Sequence, residues 1–319
     1  MRILLVKTSS LGDVIHNLPV VSDILARYPD ASIDWVVEEN FAELPALHPG
    51  VTTVIPVALR RWRKNLFARA TWEEMAACYR AISRHEYDFV IDTQGLLKSA
   101  LITWCARGLR CGHDAGSARE GIASIAYDRN FAVDTKLHAV ARNRALVALA
   151  LGNANDEPLN YGIAIAPQPA ATKPTAVLLT ATSRDDKLWP EARWIALGRK
   201  LSELGMTCAL PGGSAVERER ASRLARAIPD AIALAPLRLS ELARELSAAQ
   251  IVIGVDTGLV HLAAALGRPT IALYCASDPL LTGVFALTPF QNLGARDSPP
   301  TLDAVLQTTT AMLDLPVLA

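Results

Sequence analysis

Residues 251–274, IVIGVDTGLVHLAAALGRPTIALY, contain an apolar run, a helical pattern and a second apolar run in close succession. The runs IVIGV and TIALY are rich in β-branched residues and are typical of buried strands. Between them, GLVHLAAALG has helical spacing, and Gly267 with Pro269 indicates where the helix ends. Two strands joined by a covering helix run parallel, so this stretch predicts an α/β fold with a parallel sheet.

The same alternation of strand and helix patterns continues on both sides of this stretch. A second-half series begins with TAVLLTAT at residues 175–182, and a first-half series runs from RILLV at residues 2–6 to DFVIDTQ at residues 88–94. Between the two series, residues 153–174 are rich in Pro, Ala and polar residues without sustained periodicity. This composition predicts a linker between two α/β domains.

We therefore predict two Rossmann-like domains, at residues 1–165 and 166–319, whose parallel sheets face an interdomain cleft. A ligand is expected in that cleft, because ligands of open α/β sheets bind outside the carboxyl ends of the strands. The last predicted helix, at residues 301–315, could pack on either domain, the N-terminal one included.

The composition limits the class of protein. The 319 residues exceed the ~250–300 at which a single core usually stops growing, and 51% of them are hydrophobic. Lys+Arg and Asp+Glu balance at 32 each, so no overall field attracts nucleic acid. The five cysteines form no close pair, which favours a reducing compartment over a disulfide framework or thiolate metal site. No signal peptide or apolar run of about 20 residues is found, which predicts a cytoplasmic protein.

Two turns of the second half offer groups that could hold a phosphate. In VDTGLVH, backbone amides at Thr257 and Gly258 would present a helix N-terminus to an anion, although any helix needs a cap at this point. In TATSRDDKLWP, Thr182 and Ser183 supply hydroxyls, and Lys187 supplies a cation that could meet a diphosphate. The adjacent Arg-Asp-Asp triplet is typical of a solvated loop.

Two further residues of this half have both a structural and a functional interpretation. Glu217, in PGGSAVERER, could accept hydrogen bonds from ribose hydroxyls, although an acid in the first helical turn is favourable without a ligand. His261 is expected to pack or to form a hydrogen bond, because no partner lies at metal-ligand spacing. Neither G-x-G-x-x-G after a first strand nor a P-loop motif is present, which counts against a dinucleotide oxidoreductase and a P-loop NTPase.

The first half contains two candidate segments. KTSSLGDVIHNLP, residues 7–19, joins a strand to a helix, and its small residues, among them Ser10 and Gly12, would let a substrate approach. Asp13 in this segment is either a helix cap or a group that does chemistry. RRWRKNLF groups four cations around Trp62, namely Arg60, Arg61, Arg63 and Lys64. Most such runs are solvated faces, but arginine forks also match phosphates and carboxylates.

The chain resembles the bacterial lipopolysaccharide heptosyltransferases of glycosyltransferase family 9 over essentially its whole length. The resemblance rests on KTSSLGDVIHNLP, DWVVEE, VIPVALRRWRK, VIDTQGLLKSA, ATSRDDKLWP and VDTGLVHLAAALGRP. It implies a GT-B fold and transfer of L-glycero-D-manno-heptose from ADP-heptose to the first Kdo of Kdo2-lipid A, with inversion and with neither a metal nor another cofactor. It also implies a monomer, with no nucleic-acid partner, that is peripheral on the cytoplasmic face of the inner membrane.

The resemblance also assigns roles to residues. It implies that Asp13 is the catalytic base, that Asp256 contacts the heptose, Glu217 the ribose and Leu237 the adenine. The diphosphate contacts then fall on Thr182, Ser183, Lys187, Thr257 and Gly258, with His261 in the same donor site. The acceptor contacts fall on Ser10, Gly12, Arg60, Arg61, Arg63, Lys64 and Arg119. Ser183 stands where a second Thr is expected and keeps the hydroxyl.

Two alternatives to first-heptose transfer stay open at this point. A heptosyltransferase II-type enzyme, which adds the second heptose, would share the fold and the donor. A non-catalytic sugar-nucleotide-binding protein would keep the binding loops without turnover, although the acid retained at Asp13 argues against it.

Overall fold

The computed structural model describes residues 1–154, 156–166 and 173–314. Its contacts divide the chain into two compact units, Met1–Ala164 and Ile165–Ala319. Each unit contains one six-stranded sheet in which every pair of neighbouring strands is parallel. The predicted α/β architecture of two Rossmann-like units is confirmed.

The sheet of the first unit has the strand order β3-β2-β1-β4-β5-β6. Its strands are β1 (Arg2–Val6), β2 (Ser32–Glu38), β3 (Val51–Val57), β4 (Glu86–Asp92), β5 (Arg107–His113) and β6 (Arg129–Phe131). Its helices are α1 (Leu11–Ile15), α2 (Leu18–Arg27), α3 (Glu43–Ala46), α4 (Leu59–Trp62), α5 (Arg69–Ile82), α6 (Leu97–Cys105) and α7 (Ala139–Leu151).

The sheet of the second unit has the order β12-β11-β10-β7-β8-β9, which is the same pattern counted from its own first strand. Its strands are β7 (Thr175–Leu179), β8 (Thr207–Leu210), β9 (Ala231–Ala233), β10 (Ile251–Val255), β11 (Thr270–Tyr274) and β12 (Phe290–Gly294). Its helices are α8 (Glu191–Glu203), α9 (Ala215–Ala227), α10 (Leu239–Ala248), α11 (Gly258–Ala265) and α12 (Leu302–Leu313).

The central strands are buried along their length because helices cover the sheet. All five residues of β10 and all five of β11 are buried, as the two apolar runs predict. Burial of such runs is the main term that stabilises a parallel sheet. The helix between them ends as predicted, since Gly267 has φ +76° and directly precedes the turn into β11.

The structure contains three strands that the sequence does not predict, and it shows on which unit the last helix packs. No pattern predicts β5, β6 or β12, whose sequences RGLRCGH, RNF and FQNLG lack a continuous apolar run. The sheet edges β6 and β12 are only partly buried, so they need no such run. The helix α12 packs on α8 and β11 of the second unit, with Val305 and Met312 in that core. Residue 315 of the predicted helix lies outside the described residues.

Among the described residues, no helix is both long and apolar enough to cross a membrane. The five cysteines are free thiols, and Cys111 and Cys208 lie buried in different sheets.

Candidate functional site

The strand order of each unit indicates where a ligand should bind. In open parallel sheets, ligands bind at the carboxyl edge, where the strand order reverses. In the first unit this switch point lies between β1 and β4, and in the second between β7 and β10. The segments that leave these strands are residues 7–10, 93–96, 180–184 and 256–257. The predicted base and most predicted donor contacts lie in these segments or in the helical turn that follows.

Asp13 lies in the first turn of α1, directly beyond β1. Its Oδ2 accepts hydrogen bonds from the backbone N–H of Ser10 at 2.9 Å and from the Ser10 hydroxyl at 3.1 Å. Its Oδ1 accepts from Nη2 of Arg119 at 2.7 Å. Nη1 of Arg119 also donates to Oδ2, at 3.4 Å. Oδ2 therefore closes the helix cap, and both carboxylate oxygens meet a cation whose predicted role is to bind the acceptor.

Two positive charges govern the ionisation of Asp13. Burial by itself would raise the pKa of this carboxyl, but the charges of Lys7 and Arg119, together with the hydrogen bonds from Ser10 and Arg119, outweigh burial and lower the pKa to about 2. Lys7 is buried under the loop, where its ammonium donates to the Thr93 carbonyl at 2.8 Å and to Oδ1 of Asn143 at 3.3 Å. Burial lowers the pKa of Lys7 to about 8 in spite of the attraction of Asp13. At neutral pH Asp13 is thus ionised, able to accept a proton, and weakly basic.

Gln94 fastens the loop that precedes Asp13 to the loop after β4. Its Oε1 accepts from the backbone N–H of Thr8 at 2.6 Å and from the Thr8 hydroxyl at 2.8 Å, while its Nε2 donates to the Ser9 carbonyl at 3.0 Å. The loop after β4 is itself fixed by Asp92, which accepts from the Gln94 N–H and the Tyr127 hydroxyl, each at 2.8 Å. Burial raises the pKa of Asp92. These bonds hold the first-unit loops in one geometry.

A third cation lies near the predicted base. Nζ of Lys98, on α6, donates to the Ser9 hydroxyl at 2.8 Å. Gly12 lies within the first turn of α1 and is partly buried, while Ser10 is exposed. Together with Lys7 and Arg119, Lys98 gives the first-unit site a concentration of positive charge that suits an anionic acceptor.

The structure divides the predicted basic cluster into two parts. The guanidinium of Arg61 pairs with Glu39 at 3.0 Å and with Glu74 at 2.9 Å. Trp62 is buried, and its indole N–H donates to the same Glu74 at 2.7 Å. The carbon Cζ of Arg60 lies 5.6 Å from the ring centre of Phe41. Arg60 and Arg61 thus contribute to local structure in addition to any role toward a ligand.

Arg63 and Lys64 follow this structured turn and are exposed. Within the described ranges, neither of them forms an ion pair. Of the four predicted cations, these two are therefore the most available to an external anion.

The second unit contains a cavity of about 270 Å³ at its switch point. Five predicted donor contacts line it: Thr182, Ser183, Glu217, Leu237 and Thr257. The lining combines hydroxyl and carboxylate side chains with leucines, a mixture that suits a nucleotide. The remaining lining residues are Leu179, Thr180, Ala181, Pro211, Gly212, Gly213, Leu242 and Leu259.

Lys187 and Asp256 form an ion pair next to this cavity. Nζ of Lys187 lies 2.6 Å from Oδ2 of Asp256, and the Thr182 hydroxyl donates to the Asp256 carbonyl at 2.9 Å. Ser277, which follows β11, donates its hydroxyl to the same Oδ2 at 2.5 Å. Asp256 therefore connects the three segments after β7, β10 and β11. Gly258 begins α11 directly after Thr257, so its amide lies at the helix N-terminus.

Two cavity residues have local features that bear on their roles. Oε2 of Glu217 accepts from the N–H groups of Gly213 and Ser214 at 2.8 and 2.9 Å, so this acid caps α9 as its structural interpretation predicts. Thr180 is buried, and its hydroxyl has no hydrogen-bond partner among the described residues. A buried hydroxyl in a cavity wall usually bonds to something, which makes Thr180 a further candidate ligand contact.

His261 is buried on α11, as its predicted packing role requires. In the part of the chain that the structure describes, no three His, Cys, Asp or Glu side chains are grouped so that they could hold a metal ion. The Arg184 and Asp186 side chains pair with each other on the surface, in agreement with a solvated loop.

The structure adds residues to the candidate sites that no sequence pattern predicts. Their contacts join segments that are far apart in the chain, so no local spacing indicates them. Lys7 and Lys98 lie inside the longer motifs KTSSLGDVIHNLP and VIDTQGLLKSA, and no motif contains Ser277. The residues that the structure adds to the candidate sites are Lys7, Gln94, Lys98, Thr180 and Ser277.

Two Rossmann-like units, each with a candidate site at the switch point of its sheet, are the architecture of glycosyltransferases of the GT-B class. Residues 75–303 match the sequence model of Glycosyltransferase family 9 (heptosyltransferase). The chain belongs to this family.

Known proteins resemble the chain over nearly its whole length. Lipopolysaccharide heptosyltransferase 1 of Salmonella typhimurium is 45% identical over 311 residues, which cover 93% of this chain and 98% of that protein. The structure of E. coli heptosyltransferase WaaC with ADP has a TM-score of 0.93 and 42% identity, and the match covers 98% of this chain and 100% of that one. The structure of E. coli heptosyltransferase WaaC with ADP-2-deoxy-2-fluoro heptose has a TM-score of 0.89 and 40% identity, and the match covers 98% of this chain and 99% of that one. The predicted family, enzyme class and GT-B fold are confirmed.

Proposed function

We propose that this protein transfers L-glycero-D-manno-heptose from ADP-heptose to the first Kdo of Kdo2-lipid A, in the synthesis of the lipopolysaccharide core. The observation that carries the proposal is the second-unit cavity, which Thr182, Thr257 and Glu217 line in a chain 40% identical to an enzyme solved with an ADP-heptose analogue. The 45% identity to a heptosyltransferase 1 supports first-heptose rather than second-heptose transfer.

The donor step would take place at the second unit. The apolar lining residues Leu237, Leu242 and Leu259 suit an adenine ring, and Glu217 suits the ribose hydroxyls. The first amides of α11 and the ammonium of Lys187 would stabilise the negative charge that develops on departing ADP. With this charge supplied by the protein, the transfer would need no metal ion.

The acceptor step would take place at Asp13. As the acceptor oxygen bonds to the anomeric carbon, the bond from that carbon to the β-phosphate oxygen breaks and the acceptor proton moves to the Asp13 carboxylate. Attack on the face opposite the leaving ADP inverts the anomeric centre. A pKa of about 2 makes Asp13 a weak base, which suffices where the acceptor hydroxyl becomes acidic late, as its bond to carbon forms.

Arg119 would exchange partners when the acceptor binds. Its Nη2 donates to Oδ1 of Asp13 at 2.7 Å and its Nη1 to Oδ2 at 3.4 Å, and of these two oxygens Oδ1 is not used in capping α1. A carboxylate or phosphate of the acceptor would attract Arg119 away from Oδ1 of Asp13. The same acceptor group would also attract the exposed Arg63 and Lys64. Asp13 would then gain basicity at the moment when a proton has to be removed.

The site of action would be the cytoplasmic face of the inner membrane, where a monomer of this enzyme would meet its lipid-linked acceptor peripherally. Its overall charge is zero, so attraction to an anionic leaflet has to come from local cations such as Arg63 and Lys64. For the same reason no nucleic-acid partner is expected.

The test is the identity of the acceptor and product in the presence of EDTA. Purified protein is mixed with ADP-heptose and either deacylated Kdo2-lipid A or the same acceptor already carrying one heptose. Mass spectrometry should show one added heptose on the first acceptor only, and the anomeric NMR signal should show inversion. Product from the heptosylated acceptor alone would identify a second-heptose transferase, and donor binding without product would identify a non-catalytic binding protein.

A further inference from the structure

The outer face of α6 is apolar although it is exposed. Leu97, Leu101 and Trp104 lie at i, i+4 and i+7, which places them on one side of the helix. All three are exposed, Trp104 with 66% of its surface, whereas Ala100 and Ile102 are buried. A solvated helix normally carries polar residues on this side.

Two further exposed apolar side chains lie on the element that packs against α6. The short 3₁₀ helix Gly121–Ala126 packs against α6, and its Ile122 and Ile125 are exposed, Ile125 at 82%. We call the five residues Leu97, Leu101, Trp104, Ile122 and Ile125 the apolar strip. Contiguous exposed apolar groups of this kind commonly mark a surface that is covered by a partner.

A second apolar feature belongs to the same side of the sheet. The helices α5 and α6 pack on one shared core, which includes Ile82 of α5 and Ile102 of α6. Just before α5, Phe67 is fully exposed and Leu66 is nearly half exposed. Trp72 is also exposed, and its indole N–H donates to the Leu66 carbonyl at 2.8 Å. We call Leu66, Phe67 and Trp72 the apolar loop.

Charge and position indicate what covers these groups. Leu66 follows the exposed cations Arg63 and Lys64 with only Asn65 between, so apolar and basic side chains are close together in the chain. Lys98, between Leu97 and Leu101 in the chain, reaches Ser9 at 2.8 Å, and the N–H of Leu97 donates to Glu120 at 2.6 Å, next to Arg119. The strip therefore begins at the Asp13 site. Apolar and aromatic groups beside cations are the composition of surfaces that lie in the interface of an anionic bilayer.

We propose that the apolar strip and the apolar loop insert into the headgroup region of an anionic lipid bilayer and so bring the Asp13 site to a membrane-embedded acceptor. This inference rests on the proposed function, because a lipid-linked acceptor is what the site would meet there. The cations attract the surface, and the apolar side chains supply binding that salt does not screen.

The first test is binding to vesicles without any substrate. Full-length protein is sedimented with vesicles of phosphatidylcholine and phosphatidylglycerol in equal amounts. The triple variant Leu101→Ser, Trp104→Ser, Ile125→Ser should bind about tenfold more weakly than wild type. The matched control is Leu204→Ser, Ile232→Ser, Leu287→Ser, three exposed apolar residues of the second unit, which should bind as wild type does. Equal binding by the triple variant and wild type would overturn the proposal.

The second test is turnover on two forms of the acceptor. With acceptor embedded in the same vesicles, the triple variant should lose most of its kcat/KM. With deacylated acceptor in solution it should match wild type, which also shows that the variant is folded. An equal loss on both acceptors would overturn membrane insertion in favour of a structural or acceptor-contact role. If wild type turned over neither acceptor, the proposed function would fail, while vesicle binding would still decide the inference.

Discussion

Asp13 is a helix cap in the structure, and the same carboxylate is the base of the proposed mechanism. Its Oδ2 caps α1 through Ser10, and its Oδ1 meets Arg119, so the cap positions the carboxylate that the proposed mechanism uses. Its depressed pKa also makes it a source of stability. The ionised form stabilises the fold above the ordinary carboxyl pKa of 3.8, and this contribution is lost as the pH falls through about 2.

Lys7 sets the pH range in which Asp13 can work. In wild type, kcat/KM should show no loss from Asp13 protonation between about pH 7 and about pH 5, because the Asp13 pKa is about 2. We expect Lys7→Met to raise the pKa of Asp13, because the variant lacks one of the positive charges that lower this pKa while the effect of burial stays. The acid limb of the Lys7→Met profile should therefore lie at higher pH than that of wild type, and the exposed control Lys200→Met should leave the limb where it is in wild type. Superimposable pH profiles for wild type and Lys7→Met would refute this role.

Ser277 tests the assignment of Asp256 to the heptose. Its hydroxyl orients Oδ2 of Asp256 at 2.5 Å, and a hydrogen bond to a charged group is worth about 1.5–3 kcal/mol. We expect Ser277→Ala to raise the Kd of ADP-heptose about tenfold, measured by calorimetry, and to leave the Kd of ADP unchanged. Ser277→Thr keeps the hydroxyl and should restore donor affinity. A parallel loss for both ligands would mean that Ser277 acts on the nucleotide instead.

At the scale of elements, the two loops after β1 and β4 act as one piece because Gln94 joins them. Gln94→Leu would leave the buried Thr8 N–H without its partner, at a cost of about 1–3 kcal/mol in the free energy of unfolding. It should also lower kcat, because the loop that carries Asp13 loses its anchor. Urea unfolding and kinetics of the same preparations measure both effects. Gln291→Leu, an exposed position on the edge strand β12, should change neither.

The elements also show how far sequence can predict this structure. Strands such as β10 and β11 are predicted because both faces are buried and every residue has to be apolar. The strand β6 escapes prediction because it is a short, partly exposed edge. Site residues, too, can be predicted where they lie next to a recognisable strand. Asp13 and Thr257 follow a recognisable strand at a strand-to-helix turn, whereas the Lys7 contacts span 86 and 136 residues. Such contacts exist only once the fold has formed.

For the whole molecule, a net charge of zero makes every electrostatic contact local. We expect Arg63→Gln with Lys64→Gln to raise the acceptor KM several-fold and to weaken its dependence on salt, because each surface cation contributes roughly 1 kcal/mol toward an anionic partner. Donor KM should stay the same. The control pair Lys200→Gln with Arg226→Gln removes two exposed charges from the second unit and should alter neither constant. Unchanged acceptor KM and salt dependence in the first pair would exclude these cations from acceptor binding.

The proposed function requires this family 9 enzyme to transfer heptose with Asp13 as its base. It is tested most directly by ADP release from ADP-heptose, with deacylated Kdo2-lipid A in EDTA, for wild type, Asp13→Asn and the exposed control Asp30→Asn. Wild type and the control should release ADP only when acceptor is present. Asp13→Asn should bind ADP-heptose equally well and turn over about 10²–10⁴-fold more slowly. Turnover by Asp13→Asn close to the wild-type rate would contradict the account.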